Sequence, residues 1–163
     1  MTAKQTLEKE FELISEELTK RYDALGMRAS GRWERGKKVD IKEEKDRLRA
    51  IISGEKYTEQ LEYGRGPSGG KGGSGPSLRD KIFKWILDKG IMSDIPTKSL
   101  AFLIARKIHA KGWKREGYGG VELVSSVITP ERIPKVIDKV GAVYADVIVR
   151  GLVKELEKFA VAA

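Results

Sequence analysis

Residues that could perform catalysis are few in this chain. The sequence contains no cysteine and a single histidine, His109, which excludes disulfides, zinc–thiolate sites and cysteine nucleophiles. One histidine without a cysteine or a second histidine does not form a metal site. Ser125 and Ser126 have no predicted base, and the carboxylates are scattered over predicted solvent faces without metal-type or acid–base pairing. We therefore predict that the protein is not an enzyme and has no catalytic residue, cofactor or bound metal.

A glycine-rich segment at 64–76, GRGPSGGKGGSGP, is the other candidate for chemistry. Gly64, Gly66 and Gly69 formally match the dinucleotide-binding pattern G-x-G-x-x-G, but Pro67 interrupts it and no helix is predicted directly after it. The P-loop pattern also fails, because its first glycine and its final serine or threonine are missing. Two interpretations stay open: a flexible linker, or an arm that becomes ordered against a neighbouring subunit or DNA.

Positive charge is concentrated in one part of the chain. The net charge is +8, and residues 65–120, with 12 basic and 4 acidic side chains, carry all of the excess. Such a one-sided charge favours a polyanion or an acidic patch on a partner protein, although scattered lysines also keep a surface hydrated. Trp113 and Tyr118 flank Lys114 and Arg115, which fits base stacking or a subunit contact, and we favour the subunit contact.

Membrane insertion and export are not predicted. No apolar run approaches the roughly 20 residues that a membrane span needs. The N-terminus, MTAKQTLEKEFE, lacks the apolar core of a signal peptide. We therefore expect no membrane partner.

The N-terminal part is predicted to form a long helix and a hairpin. Residues 4–25 place apolar side chains on one helical face, namely Leu7, Phe11, Ile14, Leu18, Tyr22 and Leu25. Residues 27–36 predict a turn-rich connector in which Trp33 is a packing residue. KKVDIKEEK and RLRAIIS predict two antiparallel strands, because apolar and charged residues alternate in the first and an apolar run follows in the second. Residues 55–63 predict two helical turns.

The rest of the chain is predicted to be mainly helical. Helices are expected from Ser77 to Gly90, from Pro96 to about Gly112, and from Thr129–Pro130 to about residue 159. VELVSSVIT, between the last two helices, favours a short strand. Each of the helices predicted from Ser77 and from Pro96 has an apolar stripe. The stripes are expected to include Leu78, Ile82, Trp85, Ile86, Leu100, Phe102, Leu103, Ile104 and Ile108.

These elements predict an α+β fold in a single domain over 1–163. A small antiparallel sheet is flanked by helices, the N-terminal and C-terminal helices are long, and the glycine-rich loop lies between helices. At 163 residues the chain is long enough to bury a core.

Several sequence features occur in a recognisable order. An amphipathic helix and a strand pair precede LEYGRGP at 61–67, and a loop follows. The next helix carries Trp85-Ile86 and Lys89-Gly90, and the one after it reads Ser99…Ala101-Phe102…Ile104-Ala105-Arg106-Lys107-Ile108…Gly112. Over residues 4–112 this order resembles the tail-completion, or head–tail connector (neck), proteins of tailed bacteriophages. The long glycine-rich loop and the segment 121–163 depart from the family's usual pattern.

The resemblance implies an α+β structural virion protein located in the phage neck and assembled in the host cytoplasm. It implies a homo-oligomeric ring, usually six- or twelve-fold, that joins the portal to the tail or to other neck proteins. Genomic DNA would pass through the lumen and be contacted non-specifically. The alternative is a basic nucleic-acid-binding module that acts outside a ring.

The connector interpretation makes the glycine-rich segment a candidate arm between subunits. The candidate subunit-interface residues are Tyr63, Gly64, Arg65, Gly66, Pro67, Lys71, Trp113 and Tyr118. The candidate DNA-channel residues are Lys71, Lys114 and Arg115.

Overall fold

The computed structural model describes residues 1–45, 47–68, 75–114 and 120–161, with the backbone alone for 155–161. Its elements confirm the predicted α+β fold with a small antiparallel sheet and long terminal helices. None of the helices in these ranges is long and apolar enough to cross a bilayer. In chain order the elements are α1 (Ala3–Ala24), α2 (Arg32–Gly36), β1 (Lys38–Glu44), β2 (Arg47–Ser53), α3 (Thr58–Tyr63), α4 (Leu78–Lys89), α5 (Thr97–Lys111) and α6 (Arg132–Val161).

The β1–β2 hairpin follows from the alternation of apolar and charged residues. Val39 lies opposite Ile52 and Ile41 lies opposite Ala50, and all four are half-buried. Successive side chains of a strand point to opposite faces, so Asp40 faces solvent between Val39 and Ile41, and Ile51 is likewise exposed. The two predicted strands are therefore confirmed, and they pair in an antiparallel two-stranded sheet.

The chain divides into two compact units. The first comprises Met1–Glu17, Lys38–Ser53 and Ile128–Ala163, and the second comprises Leu18–Lys37 and Gly54–Val127. Helix α1 therefore contributes residues to both units. The expectation of a single domain over 1–163 stays a prediction.

In the first unit, α6 runs antiparallel to α1. Arg132 in the first turn of α6 forms a two-pronged ion pair with Glu17. Two turns later, Lys139 pairs with Glu10 at 2.6 Å. The order of these pairs along the two helices fixes their opposite directions. The apolar side chains buried in this unit are Ala3, Leu7, Ile14 and Val136.

The core of the second unit includes Trp33, which is only 2% exposed. Its ring stacks on that of Tyr22 with centroids 4.3 Å apart, and its Nε1 donates to Thr58 Oγ1 at 3.0 Å. The Lys37 ammonium lies 4.9 Å from the ring centroid. Burial raises the pKa of the Tyr22 hydroxyl and lowers the pKa of the Lys37 ammonium. The packing role predicted for Trp33 is confirmed, although the predicted connector contains the short helix α2.

Helices α4 and α5 pack against each other in the same unit. Ser77 caps α4 as predicted, because its Oγ accepts a hydrogen bond from the Asp80 backbone N–H at 3.2 Å. Gly90 ends the helix with a φ of 66°, in the left-handed region that favours glycine. The side chains buried on the two helices are Ile86, Ala101 and Ala105.

Three details of the predicted structure are wrong. VELVSSVIT forms turns, because the N–H groups of Val124 and Ser125 donate to a side chain instead of to a neighbouring strand. The predicted apolar stripes are only partly buried, and Trp85 is 40% exposed. Ala101 and Ala105 take the buried positions on α5, where small side chains let two helices approach closely. The last helix also begins at Arg132, slightly later than expected.

Replacing the stacked tryptophan tests the core of the second unit. We expect Trp33→Ala to lower the free energy of unfolding by about 3–5 kcal/mol, because it removes a buried ring and its hydrogen bond. The matched control, Trp85→Ala, removes a ring that is 40% exposed and should cost about 1 kcal/mol. Chemical denaturation followed by circular dichroism measures both variants. Equal losses would contradict the assignment of Trp33 to the core.

Candidate functional site

The segment 61–67 joins the end of α3 to the end of α5 through its backbone. Arg65 and Trp113 form an antiparallel bridge in which Arg65 N–H donates to Trp113 O at 2.7 Å and Trp113 N–H donates to Arg65 O at 2.6 Å. Gly112 precedes this bridge with a φ of 76°, and a Cβ atom there would lie 2.2 Å from Arg65 O. Only glycine therefore permits this close approach of the two backbones.

The glycine-rich segment is held by hydrogen bonds at residues 65–68 and leads to the α4 cap at its other end. On one side, Ser68 N–H donates to His109 O at 3.0 Å, and Arg65 Nη2 donates to Ser68 Oγ at 2.9 Å. On the other side, Ser77 begins α4. Residues 69–74, which include Lys71, lie outside the described residues. Residues 64–68, which we name the stem of the glycine-rich segment, are thus attached to the end of α5.

The contact between Ser68 and His109 has the elements of a nucleophile and base, but its geometry favours a structural tie. His109 Nδ1 lies 2.9 Å from Ser68 Oγ and 2.8 Å from Ser68 O. A carbonyl oxygen only accepts hydrogen bonds, so the short contact with it requires a hydrogen on Nδ1. A nitrogen in that state does not take the hydroxyl proton. The contact therefore ties the glycine-rich segment to α5, and the prediction that the protein is not an enzyme stays a prediction.

Glu62 fixes the turn segment 120–125 to the end of α3. This side chain is only 8% exposed, and its carboxylate accepts hydrogen bonds from Val124 N at 2.6 Å and Ser125 N at 3.0 Å. Val121 N–H donates to Leu61 O at 2.6 Å. The sequence analysis missed this role, because Glu62 is one of several glutamates in a polar helical segment. Nothing in its spacing distinguishes it from an exposed one.

A groove between α4 and α5 combines an apolar floor with positive charge, and we name it the cationic groove. Its volume is about 610 Å³. The cationic side chains along it are Arg79 and Arg106, and the Arg106 guanidinium lies 5.7 Å from the centroid of the Phe102 ring. His109 links the groove to the stem of the glycine-rich segment. The lining residues are Ser77, Leu78, Arg79, Phe102, Ala105, Arg106, His109 and Ala110.

A second candidate surface is the C-terminal part of α6, residues 147–161, which we name the α6 arm. Glu17 pairs with Arg132 and Glu10 pairs with Lys139, so continuing this antiparallel register places Ala3 opposite residue 146. Helix α1 begins at Ala3, so residues 147–161 of α6 lie past the part of the helix that faces α1. The arm continues for about 15 residues, or about 22 Å of helix.

The described part of the α6 arm is apolar around most of its circumference. Val147, Ile148 and Val149 are 62%, 61% and 57% exposed, and successive residues of a helix point about 100° apart. Leu152 continues the direction of Ile148. The Asp146–Arg150 ion pair, at 2.9 Å, lies on the opposite side. A helix with so wide an apolar surface is usually buried.

The structure brings some of the predicted interface residues together. Gly64, Arg65 and Trp113 are half-buried at the bridge, whereas Gly66 and Pro67 are exposed beside it. All five residues remain predicted contacts. The same holds for Tyr63, which is 73% exposed, and for Lys114, which is exposed. Lys71, Arg115 and Tyr118 lie outside the described residues. No group of residues able to hold a metal ion occurs in the described ranges.

Comparison of this chain with protein-family models, curated proteins and solved structures finds no match. The resemblance to head–tail connector proteins therefore rests on the sequence features between residues 4 and 112. It stays a prediction. The structure adds the geometry of the Arg65–Trp113 bridge, the cationic groove and the α6 arm.

Removing the Glu62 carboxylate tests whether it fixes the turn segment. We expect Glu62→Ala to lower the free energy of unfolding by about 1–3 kcal/mol, because two backbone N–H groups lose a charged acceptor. Glu62→Gln keeps one acceptor oxygen and should cost less. The control Glu59→Ala changes an exposed glutamate of the same helix and should leave stability within about 0.5 kcal/mol of the wild type. Hydrogen exchange of the Val124 and Ser125 amides reports the same contact directly, and unchanged exchange in Glu62→Ala would contradict it.

Two glycine variants separate backbone strain from steric conflict. Gly112 and Gly90 both have positive φ, but a Cβ atom at Gly90 would meet nothing within 4 Å. Gly90→Ala should therefore cost only the left-handed strain, about 1–2 kcal/mol. Gly112→Ala should cost at least about 3 kcal/mol, because the Arg65 carbonyl must move as well. Thermal unfolding compares the variants, and equal costs would argue against the tight backbone contact.

Proposed function

We propose that this chain is a structural subunit of a tailed-bacteriophage neck. It assembles with copies of itself into a ring between portal and tail, around the DNA channel. The sequence resemblance supplies the class of assembly. The observation that supports self-association is the α6 arm, a long helix segment whose described apolar side chains between Val147 and Val153 are about half exposed or more.

The α6 arm has a physical reason to associate. Covering each exposed valine, isoleucine or leucine stabilises an assembly by roughly 1 kcal/mol, because these side chains are already partly buried. Apolar residues point in several directions around the arm, so a single flat contact would leave some of them exposed. Contacts with more than one neighbour cover them better. An interface between two different surfaces of the chain generates a ring when its rotation closes.

The Arg65–Trp113 bridge supports the proposed role of the glycine-rich segment. Its stem is fixed while Tyr63, Gly66 and Pro67 remain exposed. A glycine-rich segment can adopt the backbone conformation that a neighbouring subunit requires without steric strain. We therefore keep 64–76 as the proposed intersubunit arm, together with Trp113, which is bridged to Arg65, and Tyr118. Arg65 contributes by holding the stem in its own chain.

DNA contact belongs to the same proposal. Lys71, Lys114 and Arg115 are proposed to face the lumen, where lysine and arginine neutralise phosphates without reading sequence. The second candidate function, a nucleic-acid-binding module outside a ring, is favoured by the positive charge of residues 65–120. It requires the free monomer to bind DNA with a steep salt dependence. A connector subunit requires weak binding as a monomer and stronger binding once assembled.

A pair of matched double variants tests self-association through the α6 arm. We expect Ile148→Gln/Leu152→Gln to weaken self-association at least about tenfold, because about 1.4 kcal/mol of lost contact suffices for that factor. Arg150→Gln/Lys154→Gln changes the same number of exposed residues to the same amide on the polar side and should leave association nearly unchanged. Sedimentation and native mass spectrometry measure the assembled fraction, and circular dichroism checks the fold.

The outcome also tests the proposal as a whole. Particle imaging of the wild-type assembly should show a closed ring. A wild-type chain that stays monomeric at high concentration and alongside portal and tail proteins would contradict the proposed function. Equal association of the two double variants would show that the arm is not the contact.

A further inference from the structure

We propose that the cationic groove binds the acidic face of helix α1 from a neighbouring copy of this chain. The acidic face consists of Glu8, Glu12 and Glu16, which we name the acidic stripe. The inference rests on the proposed ring and identifies one of its contacts. Its two sides are different surfaces of the same chain, as a closed ring requires.

The lining of the groove fits an amphipathic acidic helix. Leu78, Phe102, Ala105 and Ala110 give it a mostly apolar floor, and arginines stand along it. Phe102 is 50% exposed, so its ring is accessible to a partner. A bare polyanion would leave this apolar surface uncovered. An amphipathic helix with acidic residues beside an apolar one satisfies both parts of the surface.

The acidic stripe has the charge and shape that such a groove requires. Glu8, Glu12 and Glu16 are exposed and follow one another at i, i+4, where like charges destabilise a helix by about 0.2–0.5 kcal/mol per pair. Among the ion pairs of the described residues, α1 uses Glu10, Glu17 and Asp23 instead. A cationic partner relieves the repulsion within the stripe.

An exposed apolar residue accompanies the stripe. Leu13 is 40% exposed and lies one turn from Glu16, at i, i+3, where helix side chains are neighbours. Leucine at this position supplies an anchor for the apolar floor. The lengths also match. The stripe from Glu8 to Glu16 and the α5 part of the groove from Phe102 to Ala110 each cover about 12 Å of helix.

The contact assigns opposite charges to opposite sides of the subunit interface. Residues 65–120, which form the groove, carry the positive excess of the chain, whereas residues 1–26 carry 4 basic and 6 acidic side chains. Complementary charges of this kind guide encounter and set the register of two subunits. The contact should therefore weaken as salt concentration rises.

Charge exchange tests the inference with the full chain. The first variant, Glu8→Lys/Glu12→Lys/Glu16→Lys, makes the stripe positive, and the second, Arg79→Glu/Arg106→Glu, makes the groove negative. We expect each variant alone to self-associate at least about tenfold more weakly than the wild type at low salt. Lys81→Glu/Lys84→Glu is the control for the second variant, because it reverses two exposed charges on α4 outside the groove and should associate like the wild type.

Mixing the two variants gives the decisive result. In an equimolar mixture every stripe meets a groove of opposite charge when the two subunits alternate, so association should return to within about threefold of the wild type. Native mass spectrometry should then show rings with equal numbers of both variants. Failure of the mixture to restore association would overturn the pairing of groove and stripe.

The remaining outcomes separate this inference from the proposed function. If neither charge variant weakens association while Ile148→Gln/Leu152→Gln does, the groove contact is wrong and the ring proposal stands. If the groove variant loses only DNA binding, measured with a random duplex, the groove binds a polyanion and the inference is overturned. If the wild type forms no assembly under any condition, the proposed function itself fails.

Discussion

Close contact between backbone segments is the constraint on which the second unit depends. The end of α3 and the turn after it approach the end of α5 so closely that Gly112 has no room for a side chain, and Gly120 is equally restricted by the Leu61 carbonyl at 2.3 Å from a Cβ atom. The two hydrogen bonds between Arg65 and Trp113 are possible only at this distance. They position His109, the stem of the glycine-rich segment and one end of the cationic groove.

In the segment 61–67, the backbone and most side chains face different surroundings. Its carbonyl and amide groups point towards α5 and the segment 120–125, whereas Tyr63 and Pro67 remain exposed. Glu62 adds a charged acceptor to this internal network, because its carboxylate binds the Val124 and Ser125 amides. In the proposed assembly, a stem that is already held in its own chain leaves fewer residues to be ordered when a partner binds.

Local patterns predicted the elements well. The heptad-like spacing on α1, the alternation around Val39 and Ile41, and the cap at Ser77 are all short-range signals, and each corresponds to an observed element. Contacts between distant parts of the sequence left no comparable signal. Glu62 binds amides 62 and 63 residues away, and this overrode the strand preference of VELVSSVIT. The cationic groove likewise exists only because α4 and α5 pack.

The α6 arm continues the same helix that packs on α1, so its base and its tip form one rod. A helix advances 1.5 Å with each residue, so the number of residues in the arm determines the distance from the packed core to the tip. Insertion of one heptad would extend the rod by about 10 Å while turning it by only about 20°. In the proposed assembly, the number of residues in this helix would therefore set the distance between the core of the first unit and the partner that the arm contacts.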